Sequence, residues 1–204
     1  MKASQAAIAT LPRRAESRTW FRAIQTRHLG TALAVAHTNT VTSRFSGATP
    51  NQPGHQILYL AENPMVALLE VQALLGQPTT PGGLVPQPRA SWTVLNASVN
   101  LQQLVDLTDL AAQAALETSA QELTGDWVGY RLRGPHTTVS QPTGLAPTHE
   151  LGHELYQAPD LEGFRTLSAK APYHEALVVF PQKLQPGAVS WFNPLRQRTE
   201  TLPE

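Results

Sequence analysis

Residues 58–76 read LYLAENPMVALLEVQALLG, and this stretch decides how the rest of the chain is organised. Leu58-Tyr59-Leu60 has the apolar character of a short buried strand. Asn63 can accept hydrogen bonds from the first free amides of a helix, and Pro64 fits the first helical position because it lacks an N–H. The pattern predicts a helix from Met65 to Leu75, with Gly76 and Pro78 as its stop. Almost every position on it is apolar, so burial is expected all round. Glu70 is the exception. Val66, Ala67, Ala73 and Leu74 lie one turn to either side of it. A carboxylate among such neighbours must be paired or put to use, because desolvating it otherwise is costly. Both outcomes, an Arg partner or a functional site, fit the pattern.

Outward from this unit the chain is loop-rich. Its 204 residues include 17 Pro and 13 Gly, which favours several short elements within one domain. Residues 1–18 are small, polar and basic and are expected to be a flexible tail. Residues 19–194 are expected to form a single domain, and 195–204 a polar tail. TWFRAI (19–24) reads as a strand carrying Arg22, and Leu29–Ala36 as a helix. SRFSG (43–47) leads into a polar loop. WTVLNASV (92–99) and LVDL (104–107) read as two strands. Thr108 is placed to cap the helix DLAAQAALET. THELGHELYQ (148–157) is a short helix, Ala176–Phe180 a buried strand, and Gly187–Phe192 a last strand. Strands and helices mix without a steady βαβ alternation, which argues an α+β fold.

The bulk numbers exclude several classes of function. Lys plus Arg and Asp plus Glu are 15 each, so the formal net charge of zero gives no reason to expect direct nucleic-acid or membrane-surface binding. With no Cys, disulfide and thiolate chemistry are absent. No apolar run is long enough to span a bilayer, and the first residues lack the uninterrupted apolar segment of a secretion signal, so a cytoplasmic protein is expected.

Three groups of residues bear on chemistry. The first is Arg22, Arg44, Tyr59 and Glu70, with Ser168 far downstream. Guanidinium groups bind phosphate and carboxylate bidentately, and a Tyr near a buried Glu can stack on a flat ring. A structural Arg–Glu pair with Tyr in the core accounts for the same spacing. The second is HELGH (149–153), which matches the HExxH pattern of zinc peptidases. His149 and His153 would share a helix face, Glu150 would be the general base, and Glu175 is a distant third ligand. Pro147 and Pro159 confine that helix, and a short amphipathic helix burying Leu151 and Leu155 is the simpler reading. The third is Asp106 with Asp109. An acid in the first turn of a helix explains Asp109 without a cation.

Taken in order, WFRAI, SRFSG, LYLAENPMVALLEV, VDLTD and GFRTLSAKAP before LVVFP resemble the RES-domain family from about Trp20 to Pro181. The resemblance implies a compact ADP-ribosyltransferase-like α+β fold, with a mixed, mostly antiparallel sheet and flanking short helices. It implies an NAD⁺-degrading toxin of a toxin–antitoxin system, a hydrolase or transferase, with an Xre-type antitoxin as partner and a tendency to self-associate. NAD⁺ is then the substrate, no cofactor or metal is required, and inorganic phosphate can be a co-substrate. The family's Arg falls on Arg44, its Tyr on Tyr59, its Glu on Glu70 and its Ser on Ser168, with Arg22 as a further anchor. Glu70 and Arg44 are the expected catalytic pair, and Arg22, Arg44, Tyr59 and Ser168 the substrate-binding set.

Overall fold

The computed structural model describes residues 4–47, 54–73, 77–80, 83–85, 91–130, 145–171 and 173–203. In chain order the elements are α1 (Gln5–Thr10), β1 (Arg14–Gln25), two 3₁₀ turns (Thr26–Thr31 and Ala36–Asn39), β2 (Leu58–Ala61) and α2 (Pro64–Glu70). Then come β3 (Gln77–Thr80), β4 (Gly83–Val85), β5 (Trp92–Asp106), α3 (Leu110–Ala115), α4 (Ala120–Thr124) and α5 (Trp127–Tyr130). The chain ends with α6 (Pro147–Gln157), β6 (Gly163–Leu167), β7 (Glu175–Val179), a 3₁₀ turn (Pro181–Lys183), β8 (Val189–Asn193) and β9 (Arg198–Leu202).

Seven strands form the main sheet in the order β1-β2-β7-β6-β5-β8-β9, and β1 also pairs with β5. The first five strands therefore close on themselves. Only β5 with β6 is parallel among these pairings, so the α+β architecture is mixed and mostly antiparallel, as the family resemblance implied. Alternation sends Trp20, Leu58, Leu60, Leu95, Ala97, Leu177 and Val179 into one core inside this circuit. A second core packs Ile8, Leu116, Leu123, Leu151 and Leu155 of the helices against Val105, Phe164, Val178 and Phe180. Among the described residues no helix is long and apolar enough to cross a membrane.

Several boundaries differ from expectation, each for a local reason. Residues 1–18 are not a plain tail. Ser4 Oγ accepts the Ala7 amide to cap α1, Ile8 is fully buried, and β1 runs from Arg14, pairing with β5 at Arg14↔Leu104 and Glu16↔Leu101. The 195–204 segment likewise holds β9, paired with β8 from Asn193↔Arg198 to Val189↔Leu202. The helix predicted at 29–36 does not form: the first 3₁₀ turn ends at Thr31, and the second begins only at Ala36.

The two strands expected between Trp92 and Leu107 are one strand of 15 residues. No Gly or Pro interrupts it, and the buried carboxylate of Glu162 accepts the amides of Gln102 (2.6 Å) and Gln103 (2.8 Å). Those amides lie where β5 stops pairing with β8, at Ser98 and Val99, and starts pairing with β6, at Leu104. Asp109 rather than Thr108 caps α3, accepting the Ala111 amide at 2.8 Å.

Candidate active site

The helix of the opening stretch starts as its sequence dictates. Asn63 Oδ1 accepts the Val66 amide at 2.9 Å, and Pro64 is the first helical residue. It ends at Glu70, however, and not at Leu75. Gln72 adopts φ 57°, its amide bonds to Leu69 O, and the Ala73 amide bonds to Leu68 O, both at 2.9 Å. This pair of bonds is a Schellman stop built on a non-glycine residue. Glu70 is therefore a helix-terminal residue facing a cleft, not a mid-helix one ringed by apolar side chains.

Three segments meet at Glu70. Ser168 Oγ donates to its Oε1 at 2.5 Å, and the Ala169 amide donates to the same oxygen at 3.1 Å. Arg44 approaches the other oxygen, Oε2, at 3.5 Å. Ser168 sits in a tight turn after β6, where its Oγ accepts the amides of Lys170 (3.2 Å) and Ala171 (3.0 Å). The hydroxyl is thus held by two donors while it donates to the carboxylate.

Tyr59 acts on the same group through its hydroxyl. That oxygen accepts the Phe45 amide at 3.0 Å and shares a 2.9 Å hydrogen bond with Ser43 Oγ, so it braces the turn carrying Arg44 from both sides. Burial raises the pKa of the phenol, which keeps it protonated. Arg22 also lines the cleft and donates to the Ala32 carbonyl at 2.9 Å. Burial pulls its guanidinium down to about 10, and among the described residues no carboxylate pairs with it.

The cleft encloses about 760 Å³. Its floor is set by strand register: Phe21 lies opposite Ala61, Ala61 opposite Ala176, and Ala176 opposite Thr166, and all four line the cleft. Two alanines at the centre of that row leave a flat, apolar surface beside Glu70. Trp127, His37, Thr166 and Lys170 also line it, and sequence reasoning singled out none of them. A signal was present for the last two, since FRTLSAK flanks Ser168. None was present for Trp127, which a long-range contact brings in.

The other groups fall elsewhere. His149 is buried, and its Nδ1 accepts the Ala146 amide at 3.3 Å, closing the start of α6. Glu175, the distant third ligand of the zinc reading, is engaged by Arg18 (2.6 Å) and Arg165 (3.4 Å). Among the described residues no three His, Asp or Glu side chains converge to hold a metal ion. Asp106 accepts from Thr108 and pairs with Arg14 and Arg165, which is a structural arrangement.

Comparison with known proteins bears on the family and the fold. The family model for the RES domain matches residues 14–202. The chain belongs to the RES-domain family. In this RES domain the match begins with β1 and ends with β9, so it takes in residues 14–18 of the first segment read as a tail and most of the last one. A chain from the crystal structure of the M. tuberculosis MbcT–MbcA toxin–antitoxin complex shares its fold, with TM-score 0.65 and 16% identity over 97% of this chain and 91% of that one. No curated protein matches the sequence.

Proposed function

We propose that this RES domain consumes NAD⁺ by breaking the nicotinamide–ribose bond, and that it acts as the toxin of a toxin–antitoxin pair. The observation that carries the reading is the Glu70 carboxylate at the cleft, fixed by Ser168 Oγ at 2.5 Å and the Ala169 amide at 3.1 Å, with Arg44 beside it. Breaking the N-glycosidic bond builds positive charge on the ribose, as in glycoside hydrolysis. A carboxylate pre-oriented by donors stabilises that charge with no reorganisation at the moment of reaction. Nicotinamide leaves with the bonding electron pair. Water then yields ADP-ribose and a proton, or inorganic phosphate yields ADP-ribose 1-phosphate.

The rest of the cleft suits the remainder of the substrate. Its volume of about 760 Å³ falls in the roughly 300–1,000 Å³ range of ligand pockets. Arg22, half-buried and with no carboxylate partner among the described residues, and Arg44 suit the pyrophosphate. The flat row of Ala61 and Ala176 suits a planar ring. The toxin role rests on family membership and on the fold shared with a chain of a toxin–antitoxin complex. An Xre-type antitoxin is the proposed partner, and the cytoplasm the proposed site of action, since that is where NAD⁺ and a cognate antitoxin would be met.

Incubating purified protein with NAD⁺, with and without phosphate, and identifying the products tests the reading. Glu70→Gln should abolish NAD⁺ loss, by at least about 10²-fold, while the melting temperature stays close to wild type. Undiminished turnover by a folded Glu70→Gln protein would refute the assignment.

A further inference from the structure

The HELGH segment has no part in the chemistry above, yet it packs directly on the turn that carries Arg44. Two glycines make the contact. A Cβ on Gly152 of α6 would stand 2.0 Å from the Phe45 carbonyl oxygen. A Cβ on Gly47 would stand 2.8 Å from both Cγ and Nδ1 of His149. Neither glycine has the left-handed φ that favours the residue, so close approach is what excludes a side chain there. The backbone from Arg44 to Gly47 is thus laid against α6, with the His149 imidazole filling the space over Gly47.

The same imidazole has a second neighbour. The Trp127 ring lies 5.3 Å from it, centroid to centroid, at 60°. Trp127 and Arg44 both line the cleft, whereas His149 is 1% exposed and does not. His149 therefore stands behind the cleft and touches two of its walls. Its orientation is fixed by the hydrogen bond to the Ala146 amide, and the helix beneath it is anchored by the buried Leu151 and Leu155. Movement of the ring toward Gly47 would be passed to Arg44, three residues away along a turn held at its other end by Tyr59.

We propose that His149 is a positioning residue, its imidazole wedged between Gly47 and Trp127 so as to set the spacing between the Arg44 turn and the Trp127 wall, and through that the affinity of the cleft for its phosphate-bearing substrate. The identity of that substrate rests on the NAD⁺ reading above. The HELGH pattern is then a packing motif: His149 is the wedge, and Gly152 the gap that receives the Phe45 carbonyl.

A double-mutant cycle in the full chain tests this. Gly47→Ala should raise the KM for NAD⁺ about tenfold and leave kcat within about twofold, a fraction of the hundredfold that a 1 Å misplacement can cause. His149→Ala should raise KM less, and Gly47→Ala with His149→Ala should fall below the product of the two, because the vacated space accepts the new methyl. Should Gly47→Ala fail to fold, His149→Asn keeps an acceptor for the Ala146 amide in a smaller group and should raise KM by the same route. Multiplicative effects on KM, or melting temperatures that move while KM does not, would overturn the inference and leave the NAD⁺ reading standing. Failure of the wild type to consume NAD⁺ sinks that reading alone. The cycle is then read in the calorimetric affinity for inorganic pyrophosphate, where coupling supports the wedge, and no coupling or no binding overturns it.

Discussion

His55 gives the folded protein a pH dependence that can be worked out in advance. It is 5% exposed and stacks on Tyr156 at 4.3 Å and 13°, with Phe180 edge-on at 5.5 Å. Its Nε2 has no hydrogen-bond partner among the described residues. Burial pulls the imidazole down from 6.5 to about 4, and the positive charges of His153 and Lys183 pull the same way. The unfolded chain takes up a proton at this position as pH falls through 6.5, whereas the folded chain does so only near 4. Stability is therefore unaffected by His55 above about pH 7 and falls as the solution is acidified below the unfolded value. Single-site linkage between those two values gives a loss of about 2 kcal/mol on going from pH 7.5 to pH 5, or roughly 4–8 °C in Tm for a chain of this size. The comparison protein is His55→Phe, which keeps a ring against Tyr156 and removes the titration. Urea unfolding of both at the two pH values isolates the term, because titrating groups not coupled to His55 contribute equally to both proteins. A wild-type loss that exceeds the variant's by less than about 0.5 kcal/mol would refute the reasoning.

The other consequences are local to the cleft. Ser168→Ala removes the 2.5 Å donor to Glu70 and leaves the Lys170 and Ala171 amides without their acceptor, so NAD⁺ turnover should fall at least about tenfold and stability by about 1–3 kcal/mol per buried amide. Kinetics and urea melts on this variant and on Ser168→Thr, which retains a hydroxyl, separate the two effects. Tyr59→Phe deprives the Phe45 amide of its 3.0 Å acceptor and frees the Arg44 turn, so KM for NAD⁺ should rise several-fold for a stability loss of about 1 kcal/mol.

How much of this was legible depended on the range of the interactions. The start of α2 was readable because Asn63, Pro64 and Val66 act on one another within four residues. Its end was not, because nothing in Val71-Gln72-Ala73 announces that Gln72 will adopt φ 57° and stop the helix before the nearby glycine. The continuity of β5 was hidden for another reason: the carboxylate that bridges its middle comes from Glu162, 59 and 60 residues away. The terminal elements were missed because α1 buries a single Ile and β9 is held by pairing rather than by a run of apolar residues. In the candidate site, residue identities were visible through the family resemblance, and the structure brings Arg44, Glu70 and Ser168 into contact across 26 and 98 residues of sequence. The bracing by the Tyr59 hydroxyl could not be read, since it depends on where the 43–45 turn lands.

A second ionic cluster shows why the Glu70 group, and not simply any buried charge, is the candidate site. Arg165 meets Asp106 at 3.2 Å, Glu175 at 3.4 Å and Glu16 at 3.9 Å, and Arg18 bridges Glu16 (2.9 Å) and Glu175 (2.6 Å). Both terminal nitrogens of Arg165 are committed to carboxylates of other strands, its Nε is buried, and it does not line the cleft. Among the described residues Arg44 has one long ion-pair contact, 3.5 Å, and Arg22 donates to a carbonyl, and both line the cleft. A guanidinium with unused donors beside open space is arranged to receive an anion, whereas one saturated by its own fold is arranged to hold strands together. The difference has an experimental form. Arg44→Lys keeps the charge but loses the planar fork, so KM should rise about tenfold or more while Tm changes little. Arg165→Met leaves buried Asp106 with Arg14 and buried Glu16 with Arg18 as their remaining partners and should cost stability, up to the roughly 3–5 kcal/mol of a broken buried pair, read by urea unfolding. The protein that remains folded should keep a KM near wild type. If instead Arg44→Lys lowered stability and spared KM, the distinction between saturated and open guanidinium groups would fail here, and with it the grounds for placing the site at Glu70.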